Sequence, residues 1–140
     1  MSTIEEIEER RAERKAALEV QRLEQYAVDL EALDGFEVEH GDGRIVRVDL
    51  ERFIPGLPTM VLMRLPKPIE HKRYVDQCRE RNGKPGDGVA AAWLVADVCR
   101  LYPDADLYAK VKETFTGAQT NMGVAAIKAC QGRADEEGKS

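Results

Sequence analysis

The sequence predicts an α+β fold, predominantly helical: a long N-terminal helix, a small antiparallel sheet of two or three strands, and a C-terminal bundle of about four helices. Three observations predict it. Apolar residues recur at helical spacing near the N-terminus and again beyond Pro68. Between these regions the period drops to two around a Gly41-Asp42-Gly43 turn. A run of 140 residues is one domain by default, with only 6% aromatics and 34% charged residues. Such a composition builds its core from aliphatic residues on helices.

Ser2-Thr3 followed by Glu5-Glu6 has the form of a capping box and starts the first helix at once. The opening EEIEERRAERK is too polar to bury a face. From Ala16 a stripe sharpens: Ala16, Val20, Leu23, Ala27 and Leu30, with Tyr26 and Leu33 beside it. The helix is expected to run to about Leu33 and to end at Asp34-Gly35. Arg11 and Arg14 fall where a coiled-coil seam needs apolar residues, which argues against a self-contained coiled coil. The sequence therefore divides into a charged helix at 1–34, one globular unit at 35–132 and a polar tail at 133–140.

Phe36 and Val38 precede the Gly-Asp-Gly turn, and Val46, Val48 and Leu50 alternate after it, which reads as a hairpin. Thr59–Leu65, bounded by Pro58 and Pro66, reads as a further strand. Pro68 suits the first position of a helix that Asn82-Gly83 closes. GKPGDG then makes a turn, with Asp87 as the next cap. Residues 89–102 are apolar almost all round. This places the segment at the domain centre as a helix, with Trp93 as its largest core residue. Pro103 stops it, Asp104 and Asp106 open another helix, and Leu107, Val111 and Phe115 give that helix its apolar side. Gly117 is expected as a left-handed cap. A small-residue helix over about 118–131 then packs close to the Trp93 helix.

The net charge of −5 argues against non-specific nucleic-acid binding. The charge is also segregated. Residues 1–51 hold fifteen acids and seven bases, whereas residues 64–84 hold seven bases and three acids. These regions are either solvated helix faces or surfaces that pair within the fold or between copies. No apolar run reaches membrane-spanning length. MSTIEEIEER lacks the basic start and apolar stretch of a signal peptide. With three widely spaced cysteines, the chain reads as cytosolic with reduced thiols.

No chemistry assembles from spacing. His40 and His71 have no metal-ligand partner at a recognised interval, and Asp104-x-Asp106 lacks the rest of a calcium loop. Cys78 has Arg79 and Arg81 nearby but no base. The sequence thus names no catalytic residue, cofactor or metal. It does name a candidate partner-binding surface: Ile4, Ile7 and Leu18 on the first helix, Met60 and Met63 on the third strand, and Lys72, Arg73 and Arg79 on the basic helix. Methionine-rich surfaces repack around varied partners, although Met60 and Met63 read first as core filler.

Two stretches carry a family resemblance. MRLPKPIEHKRYVDQC runs from an apolar strand through Arg and Pro into a helix. CRLYPDADLYAKVKETFTG, with GVAAIKACQG after it, sets a corner between helices. Over about residues 44–131 this ordering resembles the tail assembly chaperones of long-tailed phages. The long acidic N-terminal helix is not part of the resemblance. The resemblance implies a non-enzymatic protein of the host cytoplasm. It would bind the tape measure protein and help the tail tube protein assemble around it. The alternative is a structural tail completion or connector protein retained in the virion. Self-association is compatible with either. The family also implies a longer, frameshifted form, for which Gly138-Lys139 could supply slippery codons.

Overall fold

A computed structural model describes residues 2–132. The tail read as polar, with its Gly138-Lys139-Ser140 ending, lies outside the described residues.

Helix α1 spans Ile4–His40. Thr3 caps it: the hydroxyl oxygen accepts from the Glu6 N–H at 3.2 Å and the hydroxyl donates to the Glu6 carboxylate. Glu5 and Glu6 lie in the first turn, where the helix dipole favours acids. At ~1.5 Å per residue α1 is about 55 Å long. It does not stop at Gly35. That glycine stands in open space, and a helical glycine costs only about 1 kcal/mol relative to alanine. The true stop is Gly41, at φ 103°, whose N–H returns to the Glu37 carbonyl. Phe36 and Val38 are therefore helical, and the expected hairpin strand at these positions does not form.

The sheet has three strands in the order β1-β2-β3. Strand β1 (Ile45–Asp49) pairs antiparallel with β2 (Met60–Arg64), Ile45 opposite Arg64 and Asp49 opposite Met60. A loop turning through Pro55-Gly56 joins them, with Gly56 at φ 90°. The third strand, β3 (Arg100–Tyr102), comes from within the segment read as one long helix. It pairs antiparallel with β2 through Leu62–Tyr102 and Met63–Arg100.

Strand β2 is buried on both faces. Val61 and Met63 join the core shared with the bundle helices. Met60 and Leu62 alternate to the opposite face, where α1 lies. That two-sided burial explains why MVLM is continuously apolar rather than alternating.

The bundle comprises α2 (Pro68–Cys78), α3 (Gly88–Cys99), α4 (Ala105–Thr114) and α5 (Ala118–Cys130). Pro68 stands at the start of α2, and the Lys67 N–H donates to Glu70 at 2.7 Å. Helix α2 closes at Cys78, ahead of the tight turn at Asn82-Gly83, where both residues have positive φ. Asp87 caps α3 through the Ala90 N–H, and Asp104 caps α4 through the Leu107 N–H. The Tyr102–Pro103 peptide is cis. Gly117 is not left-handed: at φ −93°, ψ −6° it is the N-cap of α5. Gly123 lies against the backbone of Ala92, where an added Cβ would overlap the carbonyl. This contact lets α3 and α5 pack backbone to backbone.

The core gathers Val61, Met63, Val95, Cys99, Val111 and Met122. Burial pushes the Cys99 thiol up to about 11, so it packs as a small hydrophobe. Trp93 is not the central core residue. It is 44% exposed, with its indole N–H donating to Thr120 at 2.8 Å.

Candidate interaction surface

Two uncovered apolar faces and one buried acid organise the surface. The first face belongs to α3. Ala91, Ala92, Val95, Ala96 and Cys99 are buried, but Val89, Trp93, Leu94 and Val98 are about half exposed. The segment reads as apolar all round because one side fills the core and the other faces water. Helices α2 and α5 flank α3, and no described element crosses its outer side.

Between α2 and α3 runs a shallow groove of about 120 Å³. Tyr74, Leu94, Val95 and Val98 line it, with Arg73 and Gln77 on the α2 side. Glu70, also at this groove, is held in a two-pronged pair by Arg64, both contacts at 2.8 Å. That guanidinium holds the Glu70 carboxyl down at about 2, and the carboxylate in turn raises the Arg64 pKa.

The second face is on α1. Every residue from Ser2 to Gln21 is exposed, so about 27 Å of helix stands clear of the domain. Further along, Gln25, Tyr26, Leu33 and Phe36 are half-buried and Asp29 is fully buried. The expected stripe of Ala16, Val20, Leu23, Ala27 and Leu30 is not the docked face. All five residues are exposed, and they lie roughly a third of a turn round the helix from Asp29. Only their neighbours Tyr26 and Leu33 touch the domain.

Asp29 sets this rotation. Its carboxylate accepts from the Thr59 N–H at 2.7 Å, from the Thr59 hydroxyl, from the Tyr102 hydroxyl and from Gln25 at 2.9 Å. One acid thereby joins α1 to the entry of β2 and to β3. Burial raises the Tyr102 pKa, and the bond to Asp29 raises it further, which keeps the hydroxyl a donor. On the other side of the sheet, Asp97 accepts from Tyr108 at 2.7 Å and from Gln119 at 2.9 Å, linking α3, α4 and α5.

The expected surface residues divide. Ile4, Ile7 and Leu18 are exposed on the free part of α1. Lys72, Arg73 and Arg79 are exposed on and just beyond α2, and Arg73 borders the groove. Met60 and Met63 are fully buried and are core residues, because β2 is the central strand with packing on both faces. Cys78 is exposed. Leu94, Val98 and Asp29 were not singled out from sequence. The signal for the first two was present, since a helix that is apolar all round needs packing on every side and a chain this short supplies it on few. Asp29 carried no such signal: its partners lie 30 and 73 residues away.

Among the described residues no helix is long and apolar enough to cross a membrane. Among the same residues no group of three or more His, Cys, Asp or Glu side chains is placed to hold a metal ion. No family model, curated protein or solved structure matches the chain.

Proposed function

We propose that this protein is a non-catalytic tail assembly chaperone of a long-tailed phage. In the host cytoplasm it would bind the tape measure protein and hold it ready for the tail tube protein. The observation that carries the reading is the uncovered apolar face of α3 beside the α2 groove, with Val89, Trp93, Leu94 and Val98 all about half exposed. A contiguous apolar patch rimmed by polar residues marks a protein-binding surface. Its shape suits an amphipathic helix laid into a groove, with the free part of α1 offering Ile4, Ile7 and Leu18 as further anchors. Lys72, Arg73 and Arg79 would steer an acidic segment toward it. A chaperone of helical apolar segments needs such a face.

Co-production with the tape measure protein tests this. The expected result is a tape measure protein that stays in solution and co-purifies with this chain, with both effects reduced by Trp93→Ser with Val98→Ser. Equal aggregation with and without this chain refutes the reading. Mass spectrometry of finished virions decides between chaperone and retained component. Persistence at fixed copy number would instead make this a tail completion or connector protein.

A further inference from the structure

Two surfaces of this chain complement each other yet do not meet within one molecule. The stripe Ala16, Val20, Leu23, Ala27 and Leu30 repeats at alternating intervals of four and three, which is the spacing of a helix that packs against other helices. Glu19, Glu24 and Glu31 flank it. Glu24 and Glu31 are in no ion pair among the described residues. The α2/α3 groove has the matching character, an apolar floor of Leu94, Val95 and Val98 with Arg73 at its edge. Arg73 likewise is in no ion pair among the described residues. Within its own chain helix α1 packs on β1 and β2 and is bonded to β3 through Tyr102. Pairing of two α1 stripes with each other is disfavoured, because their glutamates would face one another.

We propose that the α1 stripe of each molecule seats in the α2/α3 groove of a second copy, so that two copies clasp each other. Leu23 and Leu30 enter over Leu94 and Val98, and Glu24 and Glu31 face Arg73. A two-fold arrangement makes this contact twice and closes the assembly. The face of α1 held through Asp29 is a different one, so docking to its own sheet is undisturbed. The pairing holds whether or not the groove also takes a client helix, and a monomeric result here leaves the tape measure experiment standing.

Sedimentation velocity of the full chain over a concentration series, at low and high salt, tests the pairing. The expected result is a dimer that weakens as salt rises. Leu23→Asp and Leu94→Asp should each reduce dimer affinity by about tenfold or more. Both positions are about half exposed, so thermal melts should confirm an intact fold. Arg73→Glu alone, and Glu24→Arg with Glu31→Arg, should each weaken the dimer, and all three changes in one chain should restore it. A monomer at every concentration overturns the proposal. So does a dimer indifferent to Leu23→Asp and Leu94→Asp, a failure of the charge exchange to rescue, or assembly beyond two copies.

Discussion

Replacing Asp29 by alanine removes the acceptor shared by the Thr59 N–H, the Thr59 hydroxyl, the Tyr102 hydroxyl and Gln25. Gln25 is only half-buried and can turn toward water. The Thr59 amide cannot turn, and the Tyr102 hydroxyl points into the space the carboxylate leaves. Each buried donor left without a partner costs about 1–3 kcal/mol. Against this, alanine spares the protein the desolvation of a buried carboxylate, which offsets part of the loss. Three neutral donors at about 1–3 kcal/mol each, less that offset, give an expected net cost of about 2–5 kcal/mol. Asp29→Asn should cost less than alanine, since one carbonyl oxygen remains while an NH₂ meets the other donors. Urea unfolding followed by far-ultraviolet circular dichroism reads the cost as a fall in midpoint at constant slope. Amide hydrogen exchange should also quicken over residues 25–37 of α1, because this clamp holds the helix to the sheet. A loss below about 1 kcal/mol for Asp29→Ala, with unchanged exchange in α1, would refute the clamp.

Gly123→Ala places a methyl group against the Ala92 backbone. It should destabilise by about 1–3 kcal/mol or more, although helix propensity returns about 1 kcal/mol. Gly35→Ala, with nothing near it on α1, should raise stability by about 0.5–1 kcal/mol. Equal thermal melts for the two variants would contradict the close α3–α5 contact. The Arg64–Glu70 pair predicts a pH window. The Glu70 carboxyl is depressed from 4.5 to about 2, so its contribution is complete above about 4.5 and is lost as pH falls toward about 2. Glu70→Gln should therefore cost about 1–2 kcal/mol at neutral pH, a small fraction of that at about pH 2, and nothing well below it. A deficit that persists unchanged in acid would show that the pair contributes no charge-dependent stability.

Local features were legible where a residue acts on its near neighbours. Thr3, Asp87 and Asp104 cap helices because their oxygens reach amides three residues on. The strand at Met60–Arg64 and the helices after Pro68 followed from periodicity and proline placement. Errors arose where a distant partner decided. Phe36 and Val38 alternate like a strand, yet they continue α1, and β1 pairs with the buried strand β2 instead. Arg100–Tyr102 continues an apolar helical run in sequence but completes the sheet on the far edge of β2. For the methionines of MVLM the sequence allowed both core and surface, and the structure makes them core because β2 has packing on both faces.

The candidate surface shows the same division. Charge segregation and the basic character of α2 are properties of residue type, and they hold whatever the packing. Which apolar residues stay uncovered is not a property of type. Leu94 and Val95 are adjacent, one half exposed and one buried, because α3 presents one side to α5 and β2 and the other to water. Likewise Asp29 and Leu30 exchange their expected places, the acid inside and the leucine outside. Nearest-neighbour preferences set helices, caps and turns. The face each helix buries is chosen by a few long-range contacts, here the donors converging on Asp29 and the close approach at Gly123, and those exist only once the chain has folded.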